Sequence, residues 1–576
     1  MESDWLRLYG SADHDWKQID VEDGVRLHRS IGLVESTFDS DGRYWEGRAD
    51  INLLLELEAK GMSNRSNLHE RIRLAWSALR VKHCLLQAKA LSRREILDDE
   101  ASKSEEINFV IDVPRCPQQA MSAAHECVFL DQHYDTVDPA DFWCHSQNTG
   151  RVLNPAQALA RIFVFPIEQK DQETAVLRFQ LVVAHHILDG IAMYVWMRDF
   201  VHFLNSPLDT LREQILKIHT PETIRAALPL PQEVYYPTIT GSRARRRWFW
   251  LLTRILRHVR KPLQAGFPNP LYRRAPSLPT PLSPIYAAVL DYNRTPPLNT
   301  VRCNVHVSRR GTQRLHRLCR EANVSIGAGC FALSALVMME MDELVRPDIV
   351  VRDRKPFISG FPINPRAFFD KEVEPDSCML AFSDGIALPF LASDLPFDGR
   401  LRLLARQAQR QLAAYQKRKP AAIPMTEFMG SRGAGRVLAN QYIGSIERAD
   451  AQLPEHLRSG HNPQGAYPAR PNMTSQTCGV SSVGKQKSVV ASGMYDLSSP
   501  SELTDGFVAD YRSLTAGVRA RPGEFLVGIG GSDEGLWANV SIDASAADLS
   551  LVSVWKEKME RILEDGPGGG SQPAKL

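Results

Sequence analysis

The sequence lacks the features that mark several common protein classes. Its nine cysteines are scattered and never spaced as Cys-x-x-Cys, which argues against a disulfide framework and a structural zinc site. An excess of one charge is also missing, because 69 Lys and Arg face 67 Asp and Glu, so no net field attracts nucleic acid. No uncharged apolar run reaches the roughly 20 residues that span a bilayer. Residues 1–7 are charged and show no signal-peptide core. We therefore expect a soluble intracellular protein with no nucleic-acid partner and no metal.

Hydrophobic periodicity predicts an α/β fold. Helical spacing of apolar residues predicts a helix over Asn67–Lys82, with Asn67 as its cap, and another after Gly190. Clusters of β-branched and apolar residues predict strands, and strands and helices alternate in both halves of the chain. The strands expected on this basis are Ile107–Val113, Leu159–Ile167, Ala175–Ala184, Val301–Ser308, Pro356–Ile363, Ser488–Tyr495, Phe525–Ile529 and Gly535–Ile542. The helices expected in the second half are Gly311–Ala322, Gly327–Met341 and Arg400–Lys419.

The residue composition changes in the middle of the chain. Residues 262–297 contain nine prolines, which predicts an irregular connector. We expect an N-terminal lobe over 1–215, a Pro- and Arg-rich crossover over 216–298, a C-terminal lobe over 299–565 and a disordered tail over 566–576. Within the crossover, 243–261 has the pattern of a basic amphipathic helix. Its arginines either lie over the protein's own core or contact a membrane surface.

One short motif carries the chemistry. His185, Asp189 and Gly190 form an HxxxDG string directly after the apolar segment 175–184. An imidazole held at the end of a buried strand can serve as a general base near neutral pH. The alternative is a hydrogen-bonded histidine of the core. Asp189 lies about one helical turn away, so we expect it to support the turn rather than share the proton transfer.

The motif and its surroundings resemble a known superfamily. HxxxDG after a buried strand resembles the BAHD acyltransferases, chloramphenicol acetyltransferase and the condensation domains of nonribosomal peptide synthetases. Segments 74–83 and 315–335 resemble an early helix and the helix-turn-helix of the second lobe in these proteins. Asn364-Pro365-Arg366 resembles their D/N-x-R motif, and 481–484 stands where they carry an S-N-x-G-like string. The resemblance covers residues 29–543, and its texture is closest to fungal secondary-metabolite O-acetyltransferases such as the trichothecene 15-O-acetyltransferases.

The resemblance implies a fold and a set of roles. It implies two chloramphenicol-acetyltransferase-like lobes, each a mixed sheet flanked by helices, with an active-site tunnel between them. His185 would be the base, while Asp189, Gly190, Asn364 and Arg366 would support the site, with Arg366 paired to Asp189. A hydroxyl of Ser481 or Ser482 would supply an oxyanion contact in the tunnel. The plant-type DFGWG string is absent, and 525–531 is at most a loose counterpart.

The implied reaction is acyl transfer to an alcohol. Acyl-CoA, in the first instance acetyl-CoA, would be a co-substrate rather than a bound cofactor, and the acceptor a terpenoid or polyketide alcohol bound by a monomer. Three alternatives remain open: a condensation-like synthase that uses a carrier-protein thioester, a noncatalytic binding relative, and a membrane-bound lipid acyltransferase.

The last three residues of the sequence suggest a targeting signal. Ala574-Lys575-Leu576 resembles the Ser-Lys-Leu signal that peroxisomal import receptors bind, and the Gly-rich residues before it would expose it. The alternative is an inert tail, so we expect the protein in the cytoplasm or the peroxisome.

Overall fold

The structure is a computed structural model of the 576-residue chain. Its description covers 14–22, 24–61, 65–97, 106–116, 127–217, 220–235, 263–278, 280–294, 299–369, 372–415, 453–458, 476–485, 489–499, 506–531 and 535–564, with isolated positions between these ranges. Most of 243–261 and the whole tail, including Ala574-Lys575-Leu576, lie outside the described residues. The expectations for those two segments therefore remain sequence-based predictions.

Strands and helices alternate along the chain, as the periodicity predicts. The strands are β1 Lys17–Val21, β2 Gly24–Ser30, β3 Ile51–Lys60, β4 Lys89–Ser92, β5 Ile107–Val113, β6 Cys127–Phe129, β7 Ala160–Val164, β8 Glu168–Gln169, β9 Thr174–Val183, β10 Thr300–Val307, β11 Phe357–Ser359, β12 Pro362–Ile363, β13 Ala381–Phe382, β14 Ile386–Leu388, β15 Gly479–Lys485, β16 Val508–Val518, β17 Leu526–Gly531 and β18 Leu536–Asp543. The helices are α1 Leu33–Tyr44, α2 Arg65–Lys82, α3 Arg93–Leu97, α4 Pro139–Asn148, α5 Gly190–Leu204, α6 Leu208–Lys217, α7 Pro221–Ala227, α8 Arg309–Ala322, α9 Ile326–Val345, α10 Phe397–Leu412 and α11 Leu549–Arg561.

Two sheets organise two hydrophobic cores. The first core surrounds the sheet β16-β3-β9-β7-β6, and the second lies against the sheet β10-β18-β17-β15. A smaller sheet, β1-β2-β5-β4, adjoins the first core. Strand β9 is central in its sheet, paired antiparallel with both β3 and β7. Its near-continuous apolar sequence follows from burial on both faces. The α/β class and the two-lobed organisation are thus confirmed.

One strand crosses between the halves of the chain. Strand β16 pairs along its whole length with β3, so residues 508–518 complete the first sheet although they follow most of the second lobe in sequence. Tyr511 and Leu514 accordingly lie in the first core. The segment expected to form the C-terminal lobe, 299–565, therefore contributes one strand to the sheet of the first lobe. The domain boundaries expected from the sequence do not include this contribution.

The crossover also contributes to both cores. Its segment 263–294 is irregular, as its prolines predict. Phe267 and Leu271 pack in the second core, whereas Tyr286 and Leu290 pack in the first. The described segment 263–294 therefore packs against both cores.

Three local expectations are wrong. Residues 489–495 form turns rather than a strand, because the Asp510 carboxylate accepts hydrogen bonds from the backbone N–H groups of Gly493 and Tyr495 and curls the segment. The strand in this region is β15 instead. Helix α2 begins at Arg65, so Asn67 lies inside the helix and does not cap it. The strand expected over 356–363 is divided into β11 and β12.

Two further points concern the turn between α8 and α9 and the search for membrane-spanning helices. A turn is present between the helices expected over Gly311–Ala322 and Gly327–Met341, and Asn323 lies there in the left-handed region at φ 56°. No single helix in the described part of the chain is long and apolar enough to span a membrane. Helices α8 and α9 pass that test only as a pair, bent by 112°.

Arg71 ties the crossing strand to the first lobe. Its buried guanidinium donates to the carbonyl oxygens of Leu204, the last residue of α5, and of Ser206, and to that of Thr504 before β16. Each buried carbonyl oxygen left without a donor costs about 1 to 3 kcal/mol. We expect Arg71→Met to lower the free energy of unfolding by about 3 kcal/mol, as measured by urea denaturation.

Arg73→Met is the matched control on the same helix. Arg73 is exposed, and its described contact is a cation–π contact with Phe129 at 4.7 Å, worth about 0.5 to 1 kcal/mol. Equal losses in the two variants would contradict this account of Arg71.

Candidate functional site

His185 lies where the central strand of the first sheet ends. Strand β9 stops at Val183, and the backbone N–H of Ala184 still donates to the carbonyl oxygen of Leu159. The chain then forms one tight turn over His185–Ile187 before α5 begins at Gly190. His185 remains partly exposed at this edge, whereas His186 points into the protein and is fully buried. The tight turn therefore presents the first histidine of the pair, the one selected by the HxxxDG spacing.

The imidazole of His185 has close neighbours. The Phe38 ring stacks on it, with ring centroids 3.8 Å apart and planes 8° from parallel. The Sγ atom of Cys378 lies 3.9 Å from its Nδ1. Burial lowers the pKa of His185 to about 4, the positive charge of Arg521 lowers it further, and Asp189 acts in the opposite direction. The ring is thus neutral at neutral pH and able to accept a proton.

Asp189 holds the turn and joins it to the second half of the chain. Its Oδ1 accepts from the backbone N–H groups of Ile191 and Ala192, at 2.9 Å each, and so caps α5. Its Oδ2 accepts from Arg366 Nη1 at 2.7 Å and from the backbone N–H of Met379 at 3.0 Å. The ion pair implied by the sequence resemblance is therefore present, and all four contacts are buried or nearly so.

Asn364 and Gly190 support the same arrangement. The Oδ1 atom of Asn364 accepts from the backbone N–H of Arg366 at 3.1 Å and begins the short turn that carries Arg366. Arg366 Nη2 in turn donates to the carbonyl oxygen of Ser377 at 3.0 Å. Gly190 is the first residue of α5, directly after the capping aspartate. The structure therefore brings together His185, Asp189, Gly190, Asn364 and Arg366.

Ser481 and Ser482 are placed differently. Both lie on β15 in the second sheet, half-buried and exposed respectively. Among the hydrogen bonds of the described residues, none joins either serine to His185. Their oxyanion role stays a prediction from the resemblance.

His83, a buried histidine of the first lobe, contacts the loop 376–379 that also contains Met379. His83, at the end of α2, lies between two carboxylates: its Nδ1 is 2.7 Å from Asp376 Oδ1, and its Nε2 is 3.0 Å from Asp199 Oδ2. Burial by itself lowers the pKa of His83, but the hydrogen bonds to Asp199 and Asp376 outweigh it, and the net shift is upward. Loop 376–379 is thus held to the first lobe at two points, His83 and Asp189.

Residues near His185 that the sequence does not reveal are Phe38, Cys378 and Arg521. The described residues contain no group of three His, Cys, Asp or Glu side chains arranged to hold a metal ion. A cavity of about 720 Å³ lies elsewhere, between Arg161 of the first lobe and residues 287–293 of the crossover, and His185 does not line it. The tunnel between the lobes remains an expectation from the resemblance.

Removing the Asp189 carboxylate should be costly. Asp189→Ala leaves the Arg366 guanidinium buried without its partner and uncaps α5, and the loss of one partner of a buried pair costs about 3 to 5 kcal/mol. We expect a loss of that size in urea denaturation and a smaller loss for Asp189→Asn, whose amide oxygen still caps the helix. The control is Asp209→Ala, because that side chain is 89% exposed and its described ion pair is with Arg212. A change below about 1 kcal/mol for Asp189→Ala would contradict the bracing role.

His83 should make stability depend on pH. Its folded-state pKa lies above its ordinary value of 6.5, so its contribution is complete below pH 6.5 and is lost as the pH rises through the raised pKa. We expect the free energy of unfolding of the wild type to fall over that interval, and His83→Asn to remove this part of the dependence. The exposed His316 provides the control, His316→Asn, which should keep the wild-type curve. A His83→Asn curve parallel to that of the wild type would rule out the assignment.

Comparison with known proteins places the fold. No protein-family model and no curated protein sequence matches the chain. Among solved structures, trichothecene 15-O-acetyltransferase from Fusarium sporotrichioides is 12% identical, with a TM-score of 0.64 over 96% of this chain and 97% of that one. A variant starter condensation domain of rhizomide synthetase, in complex with C8-CoA, is 10% identical, with a TM-score of 0.50 over 93% and 94%. The chain therefore has the two-lobed fold shared by this acetyltransferase and this condensation domain, as the sequence resemblance implies.

Proposed function

We propose that the protein is an acyltransferase that moves an acetyl or other short acyl group from acyl-CoA to a hydroxyl of a small metabolite. The observation that carries the proposal is the setting of His185, a partly exposed neutral imidazole in a braced turn at a sheet edge. The likeness over nearly the full length to an acetyltransferase structure supports this reaction class. Fold alone does not define a reaction, so the proposal depends on the site.

The chemistry assigned to His185 is general base catalysis. The Nδ1 side of the ring is occupied by the Cys378 thiol, which leaves Nε2 for a substrate. Nε2 would take the proton of the acceptor hydroxyl as its oxygen attacks the thioester carbonyl carbon. When the tetrahedral intermediate collapses, the C–S bond breaks, and the leaving thiolate takes the same proton from the imidazolium. No covalent acyl-enzyme is needed, and Cys378 is a poor nucleophile because burial raises the pKa of its thiol.

The acceptor and the donor are finer parts of the proposal. The sequence resemblance and the structural likeness to an acetyltransferase both favour a terpenoid or polyketide alcohol as the acceptor and acetyl-CoA as the donor. A second candidate, a condensation-like synthase with a carrier-protein donor, is favoured by the likeness to the condensation domain. That domain was solved in complex with C8-CoA, so longer acyl chains belong in the test.

The experiment compares donors and acceptors directly. Purified protein is incubated with labelled acetyl-CoA, octanoyl-CoA or an acetylated carrier protein, together with a panel of terpenoid and polyketide alcohols. Products are identified by mass spectrometry, and CoA release is followed with a thiol reagent. Ester formation from acetyl-CoA is the expected result. Transfer only from the carrier protein would support the condensation-like candidate, and binding without any transfer would support a noncatalytic relative.

His185→Ala should leave the fold intact and lower turnover by about two to four orders of magnitude, because the general base is lost. The measurement is the rate of CoA release with the best acceptor, together with a thermal melt to verify folding. His316→Ala, on the exposed face of α8, is the control and should keep the wild-type rate. A folded His185→Ala protein with near-normal turnover would refute the base assignment.

A further inference from the structure

We propose that Phe38 and Arg521 are positioning residues for His185: Phe38 fixes the plane of the imidazole, and Arg521 holds Phe38 in place. The inference deepens the proposed function and depends on it only for the catalytic consequence. The starting observation is the ring stack, whose 3.8 Å spacing and 8° angle bring two aromatic planes into full contact. Small rotations of the imidazole about its Cβ–Cγ bond would break that contact, so the stack fixes the plane of the ring, while the Cys378 thiol lies on its Nδ1 side.

Phe38 can fix another ring because its own helix is anchored. It is nearly fully buried, and lies in the second turn of α1. Both guanidinium Nη atoms of Arg29 bind Glu35 at 2.8 Å, with both side chains buried. Glu35 also accepts from the backbone N–H of Gly32 at 2.6 Å, and Leu33 N–H donates to Glu233 at 2.8 Å. The first turn of α1 is therefore held on both sides, and the phenyl ring is set by a rigid element.

Arg521 contacts the same phenyl ring. Its guanidinium carbon lies 5.5 Å from the Phe38 ring centroid, within the range of a cation–π contact. Asp41, one helical turn after Phe38 on α1, accepts from Arg521 Nε and Nη2 at 3.0 and 2.6 Å. Arg48 is a second cation on Asp41, at 2.7 Å. Arg521 is thus fixed to α1 by a buried carboxylate and cannot leave the ring without breaking that pair.

The charges that face His185 come from several elements. Arg521 approaches from the segment after β16 and Asp189 from the start of α5, while Cys378 approaches from the loop braced by Arg366. Burial is the main cause of the lowered pKa of His185, and Arg521 adds to it while Asp189 opposes it. The Arg521 charge is offset by Asp41, and by Glu524 at 3.5 Å. Loss of that charge should therefore raise the His185 titration midpoint without abolishing its shift from an ordinary histidine.

The first arm of the test needs no substrate. His185 is titrated by NMR in protein labelled at histidine Cε1, with the signal assigned from its absence in His185→Gln. We expect a midpoint near pH 4 in the wild type, a higher midpoint in Arg521→Met, and the wild-type midpoint in Arg521→Lys, which keeps the charge. An Arg521→Met midpoint equal to that of the wild type would overturn the electrostatic role of Arg521.

The second arm measures the stack. Phe38→Leu removes the planar ring at similar volume, whereas Phe38→Tyr keeps it. With acetyl-CoA and the best acceptor of the panel, we expect kcat to fall about tenfold or more in Phe38→Leu, with KM for acetyl-CoA changed less than threefold, and Phe38→Tyr to retain most of kcat. Equal kcat in folded Phe38→Leu and wild type would overturn the positioning role.

The two arms separate this inference from the proposed function. If no donor supports transfer, the proposed function fails, and the stack is judged by the NMR spectra alone. Phe38→Leu must then shift the His185 Cε1 resonance, because the ring current of Phe38 is lost, whereas Phe38→Tyr must not. An unshifted resonance in Phe38→Leu would overturn the stack.

Discussion

The carboxylate of Asp189 is the interaction on which the site depends. One oxygen satisfies two N–H groups that open α5, and the other binds Arg366 and the backbone of Met379. A buried carboxylate is tolerated only when its lone pairs are satisfied, and here all its partners are supplied by the turn after His185 and by the loop of the second half. The same group therefore sets the turn that presents the imidazole and the distance between two parts of the chain. This explains how Asp189, four residues after His185, can support the HxxxDG motif through the turn that presents the imidazole.

Around this brace, one face and one edge of the imidazole have defined neighbours. Phe38 covers one ring face, the Cys378 thiol lies beside Nδ1, and the tight turn leaves the ring partly exposed. Burial keeps the ring neutral. A neutral base needs no proton removed before it acts, although a low pKa also makes it a weaker base. Its usefulness then depends on accurate placement, which is what the anchored α1 and the braced turn supply.

The sequence predicts the parts of this arrangement that are local, and misses those that depend on contacts distant in sequence. The bounds of β5 are predicted from its run of apolar and β-branched residues. The Asp189–Arg366 pair is predicted because both HxxxDG and Asn364-Pro365-Arg366 resemble motifs of the same superfamily. Helix α1 is missed because its buried face carries Glu35, Asp39 and Asp41, so its hydrophobic periodicity is weak. Without α1, the ring stack cannot be foreseen. The partner of β3 is missed for another reason: Glu58 on β3 and Arg512 on β16, whose side chains are hydrogen-bonded, lie 454 positions apart, and no local pattern encodes that pairing.

The crossing strand has a consequence for synthesis. Strand β3, with Leu53, Leu55 and Leu57 buried, leaves the ribosome long before β16, and until then its outer backbone groups have no ladder partner. An unpaired apolar edge is a template for association between nascent chains. The first lobe therefore completes its sheet only after most of the second has been translated, and this edge of β3 stays unpaired in the interval. Because Arg521 follows β16 by three residues, the surroundings of His185 are completed by the same late event.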